Sequence, residues 1–187
     1  MKYLIHYTHP INGYYVGQLI DRINQALANN PSAIEVHFSS QGGSLHDGFT
    51  LYNYLRSVPF PVHMHNIGSV ESIAVIAFLA AGSRTACEYS RFLLHGLNWT
   101  YGAGTYAHGS INEHALSLDF YAKAYVQAFN ERTEAAQEPV DVLNAIAGKP
   151  VIVPASGARA AGLVTESAVG ARMIEADAVR FWIPPIV

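Results

Sequence analysis

Three short segments of this chain contain residue types that together could carry out acyl transfer. Residues 39–44 (SSQGGS) include a glycine pair, and glycine lets backbone N–H groups approach a ligand closely. Residues 68–74 (GSVESIA) contain Ser72, and residues 91–96 (RFLLHG) end in His95 and a glycine. A serine hydroxyl becomes a strong nucleophile when a histidine takes its proton. The three segments together therefore predict an acyl-transfer site.

Each segment taken alone also fits a purely structural role. A glycine pair most often marks a turn. A serine such as Ser69 or Ser72 at the start of a helix most often caps that helix. A histidine at the end of a strand usually finds a local hydrogen-bond partner. The catalytic interpretation therefore depends on the fold placing Ser72 beside His95, where the imidazole can accept the hydroxyl proton.

An alternation of predicted strands and helices positions these segments. Residues 34–38 alternate apolar and polar side chains, as in a strand, and the glycine pair follows soon after. Further strands are predicted at residues 61–66, 85–88 and 91–95, with helices at 16–27, 44–55 and 72–81. Repeated βα units imply a mostly parallel sheet with helices on its faces. Such sheets bind ligands at the carboxyl ends of their strands, where all three segments fall.

The second half of the chain begins with a segment rich in glycine and aromatic residues, residues 96–110. A long helix is predicted at 112–135, and it is apolar on more than one side, as expected of a helix covered by a partner subunit. The remaining patterns predict a helix after Pro139, a strand at 151–153, a short helix at 156–161 capped by Gly162, a closing strand near 172–174 and an apolar tail at 181–187.

The composition of the 187 residues restricts the class of protein. The length fits one domain, residues 1–187. Only 13% of residues are charged, where roughly 25% is usual, which suggests that part of the surface is covered in an assembly. The net charge is -3 and no basic stripe occurs, so we expect no nucleic-acid partner.

The same sequence offers no sign of export or of membrane insertion. Residues 1–10 lack the long apolar run of a secretory signal. The longest apolar stretch, residues 73–81, is far shorter than the roughly 20 residues that span a bilayer. Cys87 is the single cysteine, so no internal disulfide is predicted. We therefore expect a cytoplasmic protein.

The order of the three segments resembles one family, the Clp proteolytic subunits, within the wider crotonase-like superfamily. Residues 41–45 (QGGSL) resemble the family's Pro-Gly-Gly-Ser-Val turn. Residues 68–73 (GSVESI) resemble its Gly-x-x-Ala-Ser-Met sequence around the nucleophile, and residues 94–97 (LHGL) its strand ending in His-Gln-Pro. Residues 160–164 (AAGLV) resemble its later Tyr-Gly-Leu-Val-Asp stretch. The resemblance extends over about residues 34–166.

This resemblance implies a fold, a reaction and a set of roles. The fold would be the α/β fold of Clp peptidases, with repeated β-β-α and βαβ units and a protruding handle at about residues 96–135. Ser72 would attack a peptide carbonyl, with His95 as general base and the backbone N–H groups of Gly43 and Ile73 as the oxyanion hole. The substrate would be a peptide or an unfolded protein, cut inside the chamber of a homo-oligomeric ring, with no cofactor.

The chain departs from the family at the third member of its catalytic triad, an aspartate. Counting back from residues 162–164 (GLV) places this position at Pro150, which has no carboxylate. Loss of the orienting acid costs on the order of 10⁴ in rate when the remaining geometry is kept. The sequence leaves these substitutes open: Asp119, Glu138, Asp141, Asn98 or a backbone carbonyl group.

Two smaller departures concern the nucleophile turn and the N-terminus. Glu71 replaces the family's alanine, and its charge would disfavour an oxyanion if it faced the site. Adjacent positions at a helix start diverge, so we expect Glu71 to point away. The N-terminal segment shows no counterpart of the family's axial hairpin, so we do not expect coupling to an ATPase partner.

Other interpretations of the chain stay open beside an active peptidase. The missing aspartate is compatible with a catalytically inactive structural paralogue. A crotonase-type reaction on an acyl thioester is a further alternative, although the pair of Ser72 and His95 argues against it. Lys149 offers a Ser-Lys dyad as a secondary candidate. His63 and His65 form a possible metal pair, but no third ligand has fitting spacing, so no metal is predicted.

Overall fold

The computed structural model describes residues 1–166 and 177–185. In this part of the chain, seven strands and six helices follow one another in this order: β1 (Lys2–Tyr7), α1 (Gly13–Leu27), β2 (Ala33–Ser40), α2 (Leu45–Ser57), β3 (Val62–Glu71), α3 (Ile73–Leu79), β4 (Ser83–Ala86), β5 (Arg91–Leu94), α4 (His108–Arg132), α5 (Val142–Ile146), β6 (Val151–Pro154), α6 (Ala155–Ala158) and β7 (Val179–Trp182). The closing strand predicted near residues 172–174 lies outside the described residues.

The strands form one mostly parallel sheet in the order β6-β5-β3-β2-β1-β7. Only the pairing of β5 with β6 is antiparallel among the described strands. Strand β3 is long enough to pair with two strands on the same side. Strand β4 pairs with its first half, and β5 pairs with its last three residues. This mixed α/β architecture with βα units confirms the predicted fold class.

Aromatic side chains link the sheet to the helices that cover it. Tyr7 stacks on Phe38 in the neighbouring strand, and Phe38 contacts Phe78 of α3. Phe78 in turn packs against Phe92 of β5. All seven residues of α3 are buried, so this helix lies in the core with no exposed face. Each buried isoleucine, valine, leucine or phenylalanine of this helix contributes roughly 1.5–3 kcal/mol to folding, which fixes the helix start that carries the candidate nucleophile.

Local capping explains where two of the helices begin. The Asn12 side chain accepts a hydrogen bond from the Tyr15 N–H at the start of α1. Ser44 does the same for α2 by accepting from the Asp47 N–H. These caps satisfy N–H groups that have no partner within the helix. Helix α2 therefore starts directly after the glycine pair.

Helix α4 is anchored only by its C-terminal half. Tyr125, Ala128 and Phe129 are its buried residues, whereas Leu116 and Phe120 in the preceding turns are 60% and 65% exposed. The first half of α4 and the segment before it coincide with residues 96–135, where the sequence predicts a handle; we refer to this region as the handle. None of the helices in the described ranges is long and apolar enough to cross a membrane.

Candidate active site

Ser72 occupies a sharp turn between β3 and α3. Its backbone angles are φ 54° and ψ -133°, a conformation that non-glycine residues rarely adopt and that costs on the order of 1–3 kcal/mol. The surrounding structure enforces the conformation. The Ser72 N–H donates to the Leu93 carbonyl at 2.9 Å, and the Ser72 carbonyl accepts from the Val75 N–H at 3.0 Å. A strained serine on a strand-to-helix turn is the arrangement of a nucleophile elbow.

A tyrosine from the handle helix supports this turn. The Tyr125 hydroxyl donates to the Ser72 carbonyl at 2.9 Å. Burial raises the pKa of Tyr125, so its hydroxyl stays protonated and available as a donor. Sequence analysis missed this residue, because a tyrosine within an apolar helix gives no sign of which backbone atom its hydroxyl will reach.

The glycine pair packs directly against the Ser72 turn. A Cβ atom on Gly42 would lie 2.7 Å from the Cβ of Ser72 and 2.8 Å from the Glu71 carbonyl oxygen. Gly42 also has φ +85°, so both the close approach and the backbone conformation require glycine here. The first two predicted segments are therefore in contact.

The candidate oxyanion donors are the N–H groups of Gly43 and Ile73. Ile11 occupies the two neighbours of Gly43, because its N–H donates to the Gly42 carbonyl and its carbonyl accepts from the Ser44 N–H. In this parallel pairing the N–H of Gly43 itself points away from Ile11. Ile73 is the first residue of α3, where helix N–H groups have no partner within the helix. Neither N–H group donates a hydrogen bond to another backbone group outside the helices and strands within residues 1–166 and 177–185.

His95 follows the strand that pairs with the Ser72 segment. Strand β5 runs parallel to the end of β3, with Glu71 opposite Leu93. Ser72 and His95 therefore leave neighbouring strands at the same carboxyl edge, and both side chains are partly exposed. No hydrogen bond joins the Ser72 hydroxyl to the His95 imidazole. Catalytic hydrogen bonds of this kind often form only in the complex with substrate.

The His95 imidazole is oriented by a backbone carbonyl. Its Nδ1 lies 2.9 Å from the Gly96 carbonyl oxygen. A carbonyl only accepts, so Nδ1 is the donor of this bond, and in a neutral imidazole Nε2 then keeps a lone pair. The Asn98 amide donates to the same oxygen at 3.0 Å. Of the substitutes that the sequence leaves open, the backbone carbonyl is the one in contact with His95.

The position of the missing aspartate lies beside this histidine. Strand β6 pairs with β5 so that Val151 is opposite Leu94, and Pro150 and His95 are the next residues at that end. The three candidate carboxylates are not bonded to His95. Asp141 instead caps α5, and hydrogen bonds from Asn144 lower its pKa. Asp119 and Glu138 form no hydrogen bond or ion pair with the imidazole.

Glu71 is bound away from the candidate site, as expected. Its carboxylate accepts from the Ser69 hydroxyl at 2.6 Å and from the Arg91 guanidinium at 2.9 Å. These contacts neutralise the charge that would oppose an oxyanion beside Ser72.

The other candidate groups have different partners. The His63 imidazole hydrogen-bonds to Ser83 and Thr85, while that of His65 contacts Thr85 and Cys87. Across the described residues, no three histidine, cysteine or acidic side chains group as metal ligands. Lys149 is exposed and makes no hydrogen bond to Ser72.

Comparison with known proteins places this geometry in a family context. A family model described as Clp protease matches residues 2–168. The chain is also 38% identical over 64 residues to the ATP-dependent Clp protease proteolytic subunit 2 of Borreliella burgdorferi. That alignment covers 33% of this chain and 32% of the relative, so the matched region spans about a third of the relative's length.

Proposed function

Because this chain belongs to the Clp protease family, we propose that it is a serine peptidase in which Ser72 is the nucleophile and His95 the general base. The observation that carries the proposal is the strained Ser72 turn, which lies beside the strand leading to His95. The proton on Nδ1 of His95 leaves Nε2 free to accept the serine proton.

The first half of the reaction forms an acyl-enzyme. The Ser72 hydroxyl gives its proton to Nε2 of His95 while its oxygen bonds to the peptide carbonyl carbon. The carbonyl oxygen becomes an oxyanion, which accepts hydrogen bonds from the N–H groups of Gly43 and Ile73. The C–N bond then breaks, and the leaving amine takes the proton from His95.

The second half returns the enzyme to its starting state. Nε2 of His95 removes a proton from water as the water oxygen attacks the ester carbon. The same two N–H groups hold the second oxyanion. Collapse of this intermediate breaks the bond to the Ser72 oxygen, which regains its proton from His95 as the carboxylic acid product leaves.

The Gly96 carbonyl takes over the orienting part of the aspartate's role, but only that part. It fixes the tautomer of His95, which is the function whose loss costs on the order of 10⁴ in rate. As a neutral acceptor, it stabilises the imidazolium less than a carboxylate would. We therefore expect slower turnover than a complete triad supports.

The proposed substrate is a peptide or an unfolded protein, cut within a homo-oligomeric assembly of single-domain subunits comprising residues 1–187. Support comes from the large apolar side chains that the handle exposes, including Leu116 and Phe120. Apolar patches of this kind usually mark an interface. Such an assembly would restrict access to the serine by size.

A second candidate function is a structural paralogue that assembles without cutting. The observation in its favour is Pro150, which replaces the acid beside His95. Both candidates share the fold and the assembly, and they differ only in the reactivity of Ser72.

A fluorophosphonate probe separates the two candidates. We expect intact-mass spectrometry to show one adduct on the wild type and none on Ser72→Ala. His95→Ala should react at least ~100-fold more slowly, since a general base contributes roughly 10²–10⁴. Gel filtration of all three proteins controls for folding and assembly. A folded wild type that gains no adduct would overturn the peptidase proposal and favour the structural paralogue.

A further inference from the structure

A second cavity, unrelated to Ser72, lies between the C-terminal end of α4 and the α6 region. Its volume is about 500 Å³, and none of its lining residues belongs to the candidate active site. Three of the lining side chains are arginines: Arg84, Arg132 and Arg159. The cavity therefore collects three positive charges in a protein whose net charge is -3.

Backbone carbonyls are the partners of all three guanidinium groups. Arg84 donates to the carbonyls of Ala81, Arg132, Gly162 and Leu163. Arg132 donates to the carbonyls of Leu79 and Ala81, and Arg159 to that of Thr165. No carboxylate pairs with any of the three within residues 1–166 and 177–185. Within this part of the chain, carbonyl groups hold the three guanidinium groups in place and no carboxylate neutralises them.

Among the described residues, only carbonyl dipoles balance these positive charges. The side chain of Arg84 is almost fully buried, with 4% of the residue exposed. Burial and the neighbouring charge of Arg132 lower the pKa of Arg84 to about 10. Carbonyl dipoles carry only partial negative charge, so an anion that enters the cavity is attracted by the full positive charges of the arginines. The cavity thus provides both the space and the charge that an anionic ligand needs.

Several donors remain for such a ligand. The hydrogen bonds to carbonyls leave Nη1 of Arg132 unused, together with Nε and Nη2 of Arg159. The side chains of Gln137 and Ser156 also line the cavity, and neither forms a hydrogen bond to another group in the described ranges, 1–166 and 177–185. Guanidinium groups supply paired N–H donors that match the oxygens of a phosphate.

We propose that this cavity binds a small oxyanion of the phosphate class that carries two or more negative charges. Three arginines favour a multivalent anion over a single carboxylate, because each negative charge then finds a cationic partner. A carboxylate from an acidic peptide has related chemistry, so a triglutamate peptide is titrated alongside phosphate.

Isothermal titration calorimetry with inorganic phosphate and pyrophosphate tests the proposal. All titrations use the full chain at constant ionic strength, with chloride replaced by the test anion. We expect saturable binding of one anion per chain. Arg159→Gln should weaken this binding about tenfold, because a charge-assisted hydrogen bond is worth roughly 1.5–3 kcal/mol.

Matched variants make the outcome decisive. Arg180→Gln removes the same charge from the exposed strand β7 and should leave binding unchanged. Arg132→Gln provides a second cavity variant if Arg159→Gln does not fold. Binding of a triglutamate peptide but not of phosphate would overturn the proposed ligand class. Absence of saturable phosphate binding, or equal loss in Arg180→Gln, would overturn the site. None of these measurements requires peptidase activity, so their outcome tests the anion site separately from the proposed peptidase function.

Discussion

Ser72 combines a reactive hydroxyl with a strained backbone, and two substitutions separate these features. Ser72→Ala and Ser72→Gly both remove the hydroxyl, so neither should react with a fluorophosphonate. Only glycine tolerates φ 54° without a steric penalty. Relief of roughly 1–3 kcal/mol of strain exceeds the 0.5–1 kcal/mol or so that glycine loses through greater freedom of the unfolded chain. We expect Ser72→Gly to be about 1 kcal/mol more stable than Ser72→Ala in urea denaturation.

The same pair of substitutions at an ordinary helical serine provides the control. Ser57 is the exposed last residue of α2. There, glycine brings no relief of strain and only the cost in the unfolded chain remains, so Ser57→Gly should be less stable than Ser57→Ala. If Ser72→Gly were also the less stable of its pair, the Ser72 backbone would store no strain.

Pro150 permits a test of the missing acid. Pro150 directly precedes β6, and the register of β6 with β5 places it next to His95. In Pro150→Asp, a carboxylate can accept from Nδ1 in place of the neutral Gly96 carbonyl and stabilise the imidazolium. We expect kcat for a peptide substrate to rise at least ~10-fold, within the ~10⁴ that an orienting acid is worth.

Asparagine at this position separates charge from the loss of proline. Pro150→Asn has nearly the same shape as Pro150→Asp without the charge, so it should give no comparable rise in kcat. Equal kcat values for the two variants would show that the acid position does not reach His95, and that the Gly96 carbonyl is the sole orienting group.

Among the elements, helix α4 links the handle to the nucleophile turn through Tyr125. Tyr125→Phe removes the donor to the Ser72 carbonyl and little else, so we expect a loss of about 0.5–1.5 kcal/mol in stability. The Ser72 conformation should also become less fixed. We expect kcat to fall about tenfold with KM unchanged, because substrate binding does not use this bond.

A neighbouring tyrosine of the same helix serves as the matched control. The Tyr121 hydroxyl lies one turn earlier and makes a weaker, exposed contact of 3.4 Å with His46. Tyr121→Phe should leave kcat and stability within error of the wild type. A Tyr125→Phe enzyme with normal kcat but reduced stability would mean that the bond only supports the fold.

Local signals explain which elements the sequence predicts. The glycine pair, the Ser72 turn and the His95 strand end each show a glycine or a polar residue after an apolar strand, and the structure brings their backbones together. Sequence analysis assigns no element to β1, since four of its six residues are buried and no alternation appears. It also treats the β7 region as a tail, because a strand that pairs with β1 from the other end of the chain has no local signal.

Contacts between distant residues account for what the sequence leaves open at the candidate site. The pattern suggests five substitutes for the missing aspartate, but not which of them reaches His95. That choice depends on the path of residues 95–98 after β5, which no periodicity describes. The bond from Tyr125 spans 53 positions in the chain and depends on how α4 crosses α3. Side-chain chemistry is therefore predictable here, whereas the supporting contacts are not.

At the scale of the whole molecule, the handle exposes apolar side chains that a lone subunit would leave in water. Leu116 and Phe120 are 60% and 65% exposed on the half of α4 that extends from the core. Burying each fully is worth roughly 1.5–3 kcal/mol, so a symmetric contact that uses both residues twice gains enough to support association. The low charged fraction of the chain agrees with such cover.

A charge on this surface should therefore dissociate the assembly. Phe120→Glu places a carboxylate in the expected interface, and we expect sedimentation velocity to show a shift to smaller species at micromolar concentration, with an unchanged circular dichroism spectrum. Tyr89→Glu makes a similar change at a residue that is 94% exposed in the turn between β4 and β5, away from the handle. Because Tyr89 lies outside the handle, its variant should sediment like the wild type. If Phe120→Glu kept the wild-type mass while Tyr89→Glu lost it, the interface would lie at the β4–β5 turn, and a chamber built through the handle would have to be abandoned.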